Sequence, residues 1–202
     1  ENPNGWLDPR TGKLGTAYAS PSVSRAAFWI EEGTTNLIIN PSFGTNTTSW
    51  GTYSDRTITR DTTVAYIGSA SCKVASSLLI NADAFAMTYS PGITAADAGS
   101  YTWSAWVFVP TTWTGGSICL DVRDFVGGTG AGLKAYANMS TKGVWQRVTN
   151  TFTVVGGDLT GNLYVGVDTQ WKASEFFYIT NIQLEAKAYA TSFADGSLGT
   201  GY

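Results

Sequence analysis

From Asn36 onward the chain is a succession of short apolar stretches separated by turn residues, and this spacing limits the fold more than any other feature. The stretches are NLIIN, TITR, IGSASCKVA, AFAMTY, SYTWSAWVFV, SICLDVR, GLKAYAN, VWQRVTNTFTV, NLYVGV and EFFYITNIQL. Most are too short for packed helices and several alternate apolar with polar residues, so ten strands in an all-β sandwich or barrel are predicted. Turns are expected at SPG (90–92), TGG (114–116), GGTGAG (127–132) and GGD (156–158), with one helical turn at ITAADAG. At 202 residues the chain suffices for one well-packed core. Charged residues make up only 13% and aromatics another 13%, with 23 glycines, a mix suited to packed sheet and tight turns. Residues 1–35 hold Pro3, Pro9 and Pro21 without a sustained period and read as an extended arm. Residues 36–186 read as the sandwich, and 187–202, small and glycine-rich, as a tail or linker.

Composition also removes function classes. There is no histidine, which excludes imidazole acid–base catalysis, His-dependent Ser or Cys nucleophiles, and His-ligated zinc. A net charge of −3, a pI near 4.8 and the lack of a basic run argue against nucleic acid as a partner. No apolar run approaches the roughly 18 residues of a spanning helix, so no membrane partner is expected. Cys72 and Cys119 form no CxxC pair and are expected as two buried thiols, not a zinc site or disulfide framework. The chain begins at Glu1, which suggests processing or excision from a longer polypeptide.

Strand alternation assigns faces, because successive side chains point to opposite sides. Tyr101, Trp103, Ala105 and Val107 form one set, expected in the core, and Thr102, Ser104, Trp106 and Phe108 the other. Ile118, Leu120 and Val122 leave Cys119, Asp121 and Arg123 opposite. Likewise Leu163, Val165 and Val167 leave Tyr164 and Asp168, and Leu133, Ala135 and Ala137 leave Lys134, Tyr136 and Asn138. The core is expected to include Leu37, Ile39, Phe43, Val74, Tyr101, Trp103, Val107, Leu120, Val148, Phe152, Val165 and Ile179. The outward aromatics Trp106, Phe108, Tyr136 and Tyr164, set among Lys134, Asp121, Arg123 and Asp168, suit a sugar, whose C–H faces stack on rings and whose hydroxyls need polar partners. On that reading Trp106 is the central stacking residue; the alternative is that Trp106 and Phe108 pack beneath a loop, the arm or a neighbouring subunit. Trp113 and Trp171, in turn-rich surroundings, are either rim contacts for the ligand or anchors within the domain.

The segment TNLIINPSF, followed by Ser49 and Trp50, resembles the opening of β-sandwich carbohydrate-binding modules that accompany xylanases and other glycanases. AYIGSASCKV, SPGITAADAGSYTWSAWVFVP, GVWQRVTNTFTV and FFYITNIQLE are similar to the later strands in the same order. The resemblance implies a jelly-roll sandwich, galactose-binding-like in outline. Many such modules hold a structural calcium through acids after the Phe of the first motif and after the Ile of the last strand. Gly44 and Thr180 stand at those positions here, so no bound metal and no cofactor is expected. The flanking phrases RAAFWIEEGTTNLIINPSF and QLEAKAYATSFADGS resemble phage tail and fibre proteins, which implies a virion-surface setting.

A glycosidase needs two carboxylates about 5 to 9 Å apart in a cleft. Asp121, Asp124, Asp168 and Glu175 are the candidates, but Arg123, two residues from Asp121, offers that carboxylate a simple salt bridge, and no enzyme is expected. The glycines of VRDFVGGTGAG lack the lysine of a phosphate loop. The resulting expectation is a non-enzymatic virion structural protein, in the tail or fibre or decorating the capsid. It is expected to assemble with other virion subunits through the arm residues Trp6, Phe28 and Trp29, as a homo-oligomer, with host-surface polysaccharide as a second partner. The alternative is a glycan-binding module excised from a larger extracellular glycanase.

Overall fold

A computed structural model of the protein describes residues 33–93, 97–123, 133–155 and 161–195, together with the backbone of 6–7, 14–15 and 197–198. The strands are β1 (Trp6–Leu7), β2 (Leu14–Gly15), β3 (Thr34–Thr35), β4 (Gly51–Thr52), β5 (Arg56–Asp61), β6 (Ser71–Ser76), β7 (Ala84–Tyr89), β8 (Gly99–Phe108), β9 (Ser117–Arg123), β10 (Leu133–Tyr136), β11 (Trp145–Val154), β12 (Asn162–Asp168), β13 (Phe176–Glu185) and β14 (Ser197–Leu198). The chain divides into two units, Glu1–Ile30 and Glu31–Tyr202. In the first, β1 pairs antiparallel with β2, Trp6 opposite Gly15. Phe28 and Trp29 lie outside the described residues, as do the 127–132 and 156–158 turns and residues 94–96 of ITAADAG.

The second unit is a jelly-roll sandwich of two five-stranded antiparallel sheets. A front sheet runs β10-β9-β12-β7-β4 and a back sheet β11-β8-β13-β6-β5. Alternation builds the core between them. Trp103, Ala105 and Val107 of β8 and Val148 and Phe152 of β11 face Leu120 and Val122 of β9 and Leu163, Val165 and Val167 of β12, all buried. Burial of such side chains is the main stabilising contribution, about 1.5–3 kcal/mol for each large one. Asn150 of β11 also points inward, and its Nδ2 donates to the carbonyls of Leu120 at 3.0 Å and Leu133 at 2.6 Å. This inter-sheet bridge ties the β9–β10 edge of the front sheet to the back sheet.

Nine of the ten expected stretches contain a strand; NLIIN does not. Asn36 replaces ladder pairing there. Its Oδ1 accepts from the amides of Ile38 and Leu184, and its Nδ2 donates to the carbonyls of Ile182 and Ala194. Asn40 then takes a left-handed φ of 56° and turns the chain. Strand parity is lost, so Ile38 is buried, Leu37 only packs against the core, and Ile39, expected inside, is 65% exposed. The other ten expected core residues are buried.

Residues 187–195, read from composition as a tail or linker, instead lie against the back sheet. Outward polar groups on β8, β11 and β13 need partners, and this segment supplies them. Thr102 Oγ1 donates to the Lys187 carbonyl, Arg147 Nη2 to the Thr191 carbonyl, and the Ala194 amide to Gln183 Oε1 at 2.7 Å. Beyond it β14 pairs with β3, Leu198 opposite Thr34, so the last residues of the expected arm also join this unit.

Candidate functional site

The outer face of the front sheet gathers most of the expected binding residues. Register places Lys134 opposite Asp121, Asp121 opposite Tyr164, and Tyr164 opposite Thr88 in one row across β10, β9, β12 and β7. The next row holds Tyr136, Cys119, Gly166 and Phe85. Gly166 has no side chain and Cys119 a small, buried one, so Phe85 closes down over the Gly166 backbone. The approach is close: a Cβ on Gly166 would lie 2.5 Å from the Ala84 carbonyl oxygen and 3.2 Å from the Phe85 ring. A register shift between Val165 and Gly166 leaves Ala84, Ala86, Met87 and Tyr89 inward and Phe85 and Thr88 outward.

Rings line this face. Phe85 and Tyr164 have centroids 4.6 Å apart, and Tyr53 lies 6.4 Å from Phe85. Tyr53 is 38% and Tyr136 47% exposed, while Phe85 and Tyr164 are half-buried. The Arg123 guanidinium carbon lies 4.4 Å from the Phe85 centroid, a cation–π contact. Tyr53, Phe85 and Asp83 were not among the expected site residues. The alternation of small Ala84 and Ala86 with Phe85 is the sequence signal for Phe85, obscured because the bulge breaks strict parity.

Charged groups lie among the rings. Arg123 Nε donates to Asp121 Oδ2 at 2.9 Å, and its Nη2 is 4.0 Å from Asp83 Oδ2. Lys134 Nζ pairs with Asp83 and stands 3.5 Å from Asp168 Oδ1, and Tyr136 donates its phenol proton to Asp168 Oδ2 at 2.8 Å. Hydrogen bonding with the Asp83 carboxyl and from the Tyr136 phenol holds Asp168 below the ordinary carboxylate range. Asp121 is the opposite case. It is fully buried, Oδ1 has no hydrogen-bond partner among the described residues, and burial pushes its carboxyl up against the opposing pull of Arg123.

The expected platform is split. Trp106 and Phe108 lie on β8 of the back sheet, and since the inner faces of the two sheets meet in the core, they point away from the front-sheet face. Tyr66, from the loop after β5, stacks on Trp106 with centroids 3.9 Å apart and a 25° tilt. Phe108 packs against Trp145 and Tyr178. Alternation separated inward from outward correctly for these residues but did not carry which sheet each strand joins. Trp113 and Trp171 are not rim contacts. They are 1% and 0% exposed, pack together with Phe177, and donate their indole protons to the carbonyls of Gly116 and Glu175.

Of the other candidate carboxylates, Asp124 lies outside the described residues, and Glu175 Oε1 braces a turn by accepting from the amide and hydroxyl of Thr114. The Gly44 carbonyl accepts from Arg60 Nη2 at 2.7 Å, and the Phe43 carbonyl accepts from Arg60 Nε at 2.9 Å. Thr180 donates to the Ala70 carbonyl. No group of three or more metal-ligating side chains occurs among the described residues. Cys72 and Cys119 are free and buried, and burial pushes both thiols up to about 12.

No protein-family model and no curated protein matches the sequence. Solved structures match it in fold. The CBM22-2 xylan-binding domain of Paenibacillus barcinonensis Xyn10C superimposes with a TM-score of 0.55 at 16% identity, over 73% of this chain and 98% of that one. The CBM22-1 and GH10 modules of Clostridium thermocellum endo-1,4-beta-D-xylanase 10B, complexed with xylohexaose, match at 0.54 and 18%, over 74% of this chain and 28% of that one. A family 16 carbohydrate-binding module matches at 0.56 and 18%, over 74% and 99%. The second unit thus has the jelly-roll β-sandwich fold of carbohydrate-binding modules.

Proposed function

We propose that the chain is a non-catalytic glycan-binding module that holds a polysaccharide on the outer face of its front sheet. The observation that carries this reading is the arrangement of Tyr53, Phe85, Tyr164 and Tyr136 around the hydrogen-bonding groups Arg123, Lys134, Asp83 and Asp168. Rings offer apolar faces to sugar C–H groups, and the carboxylates and cations between them offer partners to hydroxyls. The named functions of the structural neighbours, xylan binding among them, support it. A module of this kind serves a larger extracellular glycanase, the alternative setting drawn from the sequence. The virion-surface setting, with assembly through Trp6, Phe28 and Trp29, is the proposal of the flanking phrases alone.

Affinity electrophoresis against soluble polysaccharides, xylan included, tests the reading. Retardation of the wild type that Tyr164→Ala abolishes and Trp106→Ala leaves in place supports it. Retardation lost only with Trp106→Ala, or no retardation by any glycan, overturns it.

A further inference from the structure

Two side chains of β10, an edge strand of only four residues, reach inward over the front sheet. Tyr136 donates its phenol proton to Asp168 Oδ2 at 2.8 Å, and Lys134 Nζ pairs with Asp83 and stands 3.5 Å from Asp168 Oδ1. Asp168 belongs to β12, so both side chains must cross β9, which lies about 4.8 Å from each of its neighbours. Cys119 of β9 stands opposite Tyr136 in the register and points outward, yet it is only 2% exposed. The crossing accounts for this: the Tyr136 ring lies across β9 as a roof over the thiol, and the charges of Lys134, Asp83 and Asp168 all act on that thiol. Tyr136 itself is 47% exposed, so its ring keeps an open face. The hydrogen bond to Asp168 also pushes the phenol up from its ordinary range, which keeps its proton, and with it the tether, in place at neutral pH.

Resting on the glycan-binding reading, we infer that Asp168 is a positioning residue: it fastens the Tyr136 ring across β9 before any ligand arrives and so presents a preformed stacking surface at the edge of the front sheet. A ring already held in place loses little rotamer freedom on binding, whereas a ring swinging from an edge strand must first be ordered.

The experiment follows two readouts in the full chain: alkylation of Cys119 by iodoacetamide, read peptide by peptide, and retardation by soluble polysaccharides, xylan included. In Tyr136→Phe, which keeps the ring and removes only the tether, Cys119 should label about fivefold or more faster than in wild type, because labelling follows the fraction of time the thiol is uncovered. Binding should weaken about two- to tenfold, the scale of re-ordering one freed side chain. Asp168→Ala should act in the same direction on both readouts, and the double variant should lose no more than Asp168→Ala alone. Asp168→Asn, which keeps an acceptor oxygen, should stay close to wild type. Cys72, buried in the back sheet, should remain unlabelled throughout. Cys119 still masked in Tyr136→Phe and Asp168→Ala, undiminished binding in either, additive losses in the double variant, or labelling of Cys72 in step with Cys119 overturns the inference and leaves glycan binding standing. A wild type retarded by no polysaccharide overturns the glycan reading and this inference with it.

Discussion

The guanidinium of Arg123 lies over the ring of Phe85, although the two residues are on strands separated by β12. Gly166 of β12 makes this possible: any Cβ there would press on Phe85 and on the Ala84 carbonyl. Gly166→Ala should therefore destabilise the sandwich by about 1–3 kcal/mol, the usual cost of overpacking. Urea denaturation checks this, and an unchanged midpoint would show that β7 yields freely.

Trp103 is completely buried at the centre of β8, between Ala105 and Tyr101 of its own inward set. Trp103→Ala is expected to cost about 3–5 kcal/mol in the same assay. A change near zero would contradict the inward assignment of that strand.

Asp121 titrates in the unusual direction. Burial raises its folded-state pKa above the ordinary 3.8, so the native state binds the proton more tightly than the unfolded chain does. Its contribution to stability is greatest below 3.8 and is lost as pH rises through the folded value. Asp121→Asn lacks this loss, so its melting temperature relative to wild type should rise with pH across that window. A relative fall would show that the Arg123 ion pair outweighs the burial of the charge.

The sandwich and its inward residues were legible because β8, β9, β11 and β12 alternate cleanly and the core obeys that alternation. The site was legible in part, for a related reason. Lys134, Tyr136, Asp121, Arg123, Tyr164 and Asp168 were identified as outward, and all share one face. Trp106 and Phe108 were outward too, but strand order decides which outer face a residue joins, and order is a long-range property that period-two patterning does not encode. Asn36 hid the irregular start of the domain, since a side chain that satisfies four backbone groups has no period at all.

Arg60 donates to the carbonyls of Phe43 and Gly44, beside the position where Gly44 stands in place of the acid of a calcium site. Chelator treatment should leave the melting temperature unchanged. Arg60→Ala should lower stability by about 1.5–3 kcal/mol, the range for hydrogen bonds to a charged group. A large drop on chelation would show that oxygens other than carboxylates hold a metal there.

The central claim is that the glycan lies on the front sheet and not on the back. Amide chemical shifts followed while xylohexaose is titrated into the labelled full chain address it directly. Perturbations should concentrate on Phe85, Asp121, Lys134, Tyr136 and Tyr164, while Trp106, Trp145 and Tyr178 stay fixed. Shifts confined to Trp106, Trp145 and Tyr178 would contradict the account.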